Sequence, residues 1–226
     1  MNVVGHDEWL ARRKELLAKE KEFTRLRDEL TRDRRGLPWE RVEKEYVFEG
    51  ADGRRTLSEL FDGSSQLVVY HFMFDPSWDA GCTSCSFWAD SFDPNVVHLR
   101  ARDVTLVAVS LAPYPKLAAY RERMGWSFRW YSSAGSDFNA DYGVSFTDEA
   151  EYNYGSQRVS NTEREGVSVF SRDPAGGVFH TYSAYARGID LLNTAYNYLD
   201  LVPKGRGEEE RGPQFWVRRH DEYDAP

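Results

Sequence analysis

The sequence predicts an α/β domain built on a central, mainly parallel sheet flanked by helices. Three observations predict it. Two nearly unbroken apolar runs, at 66–74 and 104–111, have the length and β-branched content of strands buried on both faces. Helical patterns lie between and after them, so the order reads strand, helix, strand, helix, strand, which implies right-handed crossovers. A hairpin signal then follows at 167–185, where Asp173-Pro174-Ala175-Gly176-Gly177 separates two strand-like runs and adds an antiparallel portion to the sheet.

The elements follow in chain order. Residues 7–30 read as an amphipathic helix with Asp7 as its N-cap. Trp9, Leu16, Phe23 and Leu30 recur every seven residues, Leu10, Leu17 and Leu26 flank that line, and Arg, Lys and Glu fill the gaps. Gly36 and Pro38 end the region. Tyr46-Val47-Phe48 and Arg54-Arg55-Thr56-Leu57, joined by Gly50-Ala51-Asp52-Gly53, form a small hairpin. A short helix starts at Ser58 and stops at Gly63. After the strand at 66–74, a helix opens at Cys82 and runs to about Phe92, and Asp93-Pro94 restarts it with Pro at the first helical position. Beyond the strand at 104–111, a helix at 115–124 stops at Gly125 and a third strand covers 127–132. Residues 133–165, rich in Ser, Asn, Tyr and Gly, form an irregular insert. The hairpin at 167–185 leads into a last helix at 189–200. Three regions result: a helical arm at 1–40, the α/β domain at 41–203, and a charged, Gly-rich surface tail at 204–226.

Composition narrows the function. The chain has 226 residues, enough for one sizeable core without disulfide staples. With 29 Lys+Arg against 37 Asp+Glu, its net charge of −8 repels phosphates and speaks against nucleic acid as a partner. The basic clusters at 12–14 and 32–35 read as solvated helix faces. No stretch approaches the ~18 apolar residues of a membrane span. The first thirty residues lack an apolar core of the secretory type, so a cytoplasmic protein is the expectation.

The chemistry centres on two cysteines three positions apart, Cys82-Thr83-Ser84-Cys85. When such a pair opens a helix, the first sulfur lies beside free backbone N–H groups and the second lies one turn behind. A free thiol with pKa about 8.5 is only about 3 % thiolate at neutral pH, so lowering that value activates the nucleophile. Cys82 would attack a disulfide and Cys85 would resolve the mixed disulfide. The position directly after a buried strand and before a helix is the context in which this spacing means redox chemistry. Zinc would need four ligands, and His71, His98, His180 and His220 supply no paired spacing, so no metal is expected. Covalent haem needs His after the second Cys, where Ser86 stands. An inert buried pair is the remaining alternative.

Several segments resemble one family. They are Tyr70-His71-Phe72-Met73-Phe74, Gly81-Cys82-Thr83-Ser84-Cys85-Ser86-Phe87-Trp88-Ala89-Asp90, the run at 101–110, Met124-Gly125-Trp126, Tyr185-Ala186-Arg187-Gly188 and Trp216-Val217-Arg218-Arg219-His220-Asp221. In these the chain resembles the bacterial DUF899 family of thioredoxin-like, predicted dithiol–disulfide oxidoreductases. The resemblance implies a thioredoxin-like central mixed sheet, catalytic Cys82 and Cys85, a thiol or disulfide substrate and no cofactor. The chain also departs from ordinary thioredoxins. Thr83-Ser84 replaces Gly-Pro, and Arg164-Glu165-Gly166 stands where thioredoxins carry a proline before the strand facing the site. The peroxiredoxin pattern Pro-x-x-x-Thr-x-x-Cys is missing, with Asp75 and Asp79 at its Pro and Thr positions.

Neighbouring residues supply further expectations. Trp78, Trp88, Thr83 and Ser84 are the candidate substrate-binding residues, with core packing the alternative for the two Trp. Asp75, Asp79 and Asp90 would raise the thiol pKa if close in space, and otherwise are solvated loop acids. Tyr131, Phe138, Tyr142, Phe146, Tyr152 and Tyr154 either line a pocket or pack the insert. The leading function is thiol–disulfide exchange. The alternatives are a non-catalytic thioredoxin-like binding protein, and a peroxidase-like enzyme drawing on Arg129, Arg164 or Arg187 near Cys82. A homodimer through the terminal apolar stripe is the expected assembly.

Overall fold

The computed structural model describes residues 2–160 and 162–224. Its contacts divide the chain into two units, Met1–Trp39 and Glu40–Pro226. The first unit is one helix, α1 (His6–Gly36), of 31 residues. It is longer than the predicted 7–30 because the charged run after Leu30 continues as good helix former. Gly5, not Asp7, occupies the N-cap position, and Asp7 and Glu8 sit in the first turn, where acidic groups suit the helix dipole. No residue of α1 is buried, and Trp9, Leu16, Phe23, Leu26 and Leu30 are all exposed.

The second unit carries the α/β architecture. Its strands are β1 (Glu40–Arg41), β2 (Val47–Gly50), β3 (Gly53–Thr56), β4 (Gln66–His71), β5 (Val104–Ser110), β6 (Arg129–Ser132), β7 (Ser145–Phe146), β8 (Ala150–Tyr152), β9 (Gln157–Val159), β10 (Thr162–Glu163), β11 (Gly166–Arg172) and β12 (Val178–Tyr185). Its helices are α2 (Thr83–Ala89), α3 (Asp93–Arg100), α4 (Tyr114–Arg123), α5 (Phe138–Asp141) and α6 (Thr194–Leu199). Eight strands form one sheet in the order β1-β12-β11-β4-β5-β6-β2-β3. β4, β5 and β6 run parallel, and β11 joins β4 antiparallel. The sheet is mixed and thioredoxin-like as the resemblance implies, but the expected mainly parallel order is corrected. Among the described residues two of its seven strand pairings are parallel and five antiparallel, because β11-β12 and β2-β3 are hairpins added on either side of β4-β5-β6. The strand that feeds the cysteine motif therefore lies between a parallel and an antiparallel neighbour.

Side-chain alternation along β4 assigns its two faces. Tyr70, and Phe72 just beyond the strand, join Cys85, Trp88 and Trp130 in the core under α2 and α4. Leu67 and Val69 join Phe48, Phe61 and Phe170 in the core of the opposite face. Each such fully buried side chain contributes roughly 1.5–3 kcal/mol of hydrophobic stabilisation.

Further expectations need adjustment. The helix predicted from Cys82 to Phe92 ends at Ala89, and α3 follows after a turn. The helix predicted at 189–200 is a 3-10 segment, Ala186–Leu192, followed by α6; Asn193 divides them because its Oδ1 accepts from the Tyr196 N–H at 3.0 Å and caps α6. The surface tail is anchored over residues 204–224. The Arg206 guanidinium lies 3.8 Å from the Tyr196 ring centroid and pairs with Asp190 and Asp200, and Val217 is buried. The insert is also more ordered than its composition suggests, with α5 and two small sheets, β7/β10 and β8/β9. No helix among the described residues is long and apolar enough to cross a membrane.

Candidate active site

The site grows from the end of β4. The chain leaves the sheet at His71, loops through 72–81 and turns back into α2. The Cys82 N–H donates to the Met73 carbonyl at 3.1 Å, which holds the end of that loop against its start. Cys82 is the N-cap of α2, with extended backbone, and its sulfur accepts from the Cys85 backbone N–H at 3.5 Å. A side-chain acceptor at this position satisfies a helix N–H that has no partner within the helix. Cys85, one turn on, is fully buried, and its sulfur accepts from the Met73 N–H at 3.4 Å. Both cysteines are free thiols, Cys82 half-buried and Cys85 buried.

This geometry separates the two thiols electrostatically. Cys82 is pushed below the ordinary thiol range, chiefly by a hydrogen bond from the Cys85 side chain, with the backbone N–H groups of Cys85 and Ser84 adding to it against the cost of burial. Cys85 is pushed well above that range, chiefly by burial and next by Cys82. With α2 only seven residues long, these local donors carry the effect that the sequence assigned to a helix dipole.

The turn before Cys82 is braced from the far end of the chain. Arg219 donates through Nη2 to the Gly81 carbonyl at 2.7 Å and through Nε to the Tyr120 hydroxyl at 2.8 Å. Tyr120 in turn shares a 2.8 Å hydrogen bond with Ser86, whose hydroxyl also donates to the Cys82 carbonyl at 2.8 Å. Gly81 is required by close approach: a Cβ there would lie 2.8 Å from the Phe72 ring and 2.9 Å from the Tyr120 ring.

The predicted neighbours divide. Thr83 and Ser84 form the half-exposed first turn beside Cys82. Trp78 is half-buried against the same core. Trp88 instead lies within that core, its indole N–H donating to the Ile189 carbonyl at 3.0 Å. Asp90 turns to the Trp126 indole at 2.9 Å and to His220 at 2.6 Å, and Asp75 accepts from the Ser77 backbone N–H at 2.8 Å. The carboxylate whose charge raises both thiols is Glu165. It directly precedes β11, where Gly166 pairs with His71.

Most insert aromatics do not gather at the motif; Tyr152 reaches its edge, its hydroxyl donating to the Glu165 carbonyl at 2.7 Å. Tyr131, Phe138 and Tyr142 belong to the core of the opposite face, and Phe146 and Tyr152 pack with Val144 and Tyr185. Nor do the three arginines converge on Cys82: Arg129 pairs with Asp62, Arg187 with Asp190, and Arg164 donates to the Glu163 carbonyl. Arg219, Glu165 and Tyr70 are the neighbours that sequence reasoning did not single out. Only strand register and long-range contact bring them here. Among the described residues no three His, Cys, Asp or Glu side chains are grouped to hold a metal ion.

The family model described as "Bacterial protein of unknown function (DUF899)" matches residues 1–223. No curated protein matches the chain. Among solved structures, peroxidoxin BcpB from Mycobacterium tuberculosis is similar at 15 % identity and a TM-score of 0.46, covering 69 % of this chain and 93 % of that one. The bacterioferritin comigratory protein of Xanthomonas campestris is similar at 13 % identity and a TM-score of 0.47, covering 66 % and 86 %.

Proposed function

The chain belongs to the DUF899 family, and for this member we propose thiol–disulfide exchange at Cys82 and Cys85. One observation carries the reading: a half-buried sulfur at a helix N-cap, pushed toward the thiolate, has a fully buried thiol one turn behind it.

In one turnover, the Cys82 thiolate attacks a sulfur of the substrate disulfide. A bond forms between Cys82 Sγ and that sulfur, the substrate S–S bond breaks, and the leaving thiolate takes up a proton. Cys85 then loses its proton and attacks Cys82 Sγ. The Cys82–Cys85 disulfide forms, the mixed disulfide breaks, and the second substrate thiolate is protonated. The dithiol gives up two electrons and the substrate gains them. Thr83 and Ser84 present the half-exposed first turn to the substrate, and Trp78 flanks it. Trp88 supports α2 from within the core.

The test is equilibration of the full chain in a series of glutathione redox buffers, read by mass spectrometry. A reversible internal disulfide, lighter by a pair of hydrogens and absent from Cys82→Ser, is expected. Thiols that stay reduced across the series would contradict the reading.

A further inference from the structure

Tyr70 ends in a hydroxyl that nothing in the fold explains. Its ring is buried in the core beneath α2, edge-on to Phe72 and Phe92. Its oxygen is sealed from solvent and has no partner of good hydrogen-bond geometry, and the Cys85 side chain is its first ionisable neighbour. Burying such a group without a well-formed hydrogen bond is unfavourable, and Phe would fill the same space without that cost. The register fixes its surroundings. Tyr70 pairs with Val167 across β11, and both belong to the cluster that contains Cys85. The ionisable groups facing the hydroxyl are Cys85 first, then Cys82 and Glu165.

We propose that Tyr70 is the hydrogen-bond donor that steadies the Cys85 sulfur when it becomes a thiolate to resolve the mixed disulfide. The proposal rests on the exchange reading above. Within its hydrogen-bond shell Cys85 Sγ accepts one backbone N–H, from Met73. A thiolate in that dry position is expensive without further donors. In the mixed disulfide Cys82 carries no charge, and Glu165 still opposes a negative charge on Cys85. Tyr70 is the neutral donor at hand. Burial, with Cys85 next, pushes its own ionisation well up, so it keeps its proton wherever thiols react. In the step, Cys85 gives its proton to solvent, the Cys85–Cys82 bond forms, and the departing substrate thiolate takes a proton back. The tyrosine proton stays on its oxygen throughout.

The experiment compares wild type with Tyr70→Phe, using dipyridyl disulfide, whose leaving thiopyridone absorbs light. The first equivalent released reports attack by Cys82 and the second reports resolution by Cys85. In Tyr70→Phe the first release keeps its rate. The second slows about ten- to a hundredfold, as expected for loss of one hydrogen bond to a charged group, and its pH profile moves upward. A second phase with unchanged rate and pH profile would overturn the proposal while leaving exchange intact. No release from wild type at all would overturn the exchange reading and this proposal with it.

Discussion

Arg219 donates to the carbonyl oxygen of Gly81 at 2.7 Å, across 138 positions of sequence, and so ties the C-terminal segment to the residue before Cys82. The same guanidinium reaches the Tyr120 hydroxyl and Glu222, and its side chain is only 18 % exposed. The contact therefore counts for more than a surface pair.

Arg219→Ala is expected to lower stability by about 1.5–3 kcal/mol, the range for hydrogen bonds to a charged group. It should also loosen the turn that holds Cys82. Arg219→Lys should not restore either property, because a single ammonium cannot serve both acceptors as a planar fork does. Denaturant unfolding and the alkylation rate of Cys82 measure the two effects.

The thiol pair predicts a pH signature. Cys82 should alkylate with a midpoint below the ordinary thiol range, because the Cys85 side chain and two backbone N–H groups favour its thiolate. Cys85→Ala removes the largest of these causes and leaves the backbone donors. The midpoint should then rise by about one unit, the size of one charge-assisted hydrogen bond. Alkylation rates across pH, with the modified residue identified by mass spectrometry, check the shift.

A second pH effect concerns stability. His71 is buried, its Nε2 hydrogen-bonded to Ser168 at 2.8 Å and its Nδ1 unpartnered, and burial with nearby His180 lowers its pKa to about 3. Between that value and the unfolded pKa near 6.5, the unfolded chain binds a proton that the folded chain refuses. The contribution is complete above about pH 6.5 and is lost as pH falls toward the folded value, with a limiting slope of about 1.4 kcal/mol per pH unit. His71→Gln cannot titrate, so its stability should fall less steeply below about pH 6. Denaturant titrations of both proteins over that range measure the difference.

The sequence revealed those parts of the fold that depend on local pattern. The apolar runs around Val69 and Val107 are strands because continuous β-branched stretches suit a sheet covered on both faces. The spacing of Cys82 and Cys85 likewise announced a pair at a strand-to-helix junction. The parts left open depend on long-range contact. Trp88 could flank the substrate or pack the core, and the Ile189 carbonyl takes its indole proton inside the core. Asp90 lies near Cys82 in sequence, but Trp126 and His220 turn it away. Glu165 was visible only as the absence of a proline, and the pairing of Gly166 with His71 brings it to the thiols. Asn193 was readable in principle, since Asn followed by Thr194 is an N-cap signal within the predicted last helix.

The most direct test of the account is disulfide trapping at neutral pH. Wild type, Cys82→Ser and Cys85→Ser are exposed to a small disulfide and their intact masses recorded. The half-buried Cys82 and the buried Cys85 predict a mixed disulfide that accumulates on Cys85→Ser, no adduct on Cys82→Ser, and passage to the internal disulfide in wild type. Equal labelling of the two variants, or labelling of neither, would contradict the assignment of Cys82 as nucleophile and Cys85 as resolving thiol.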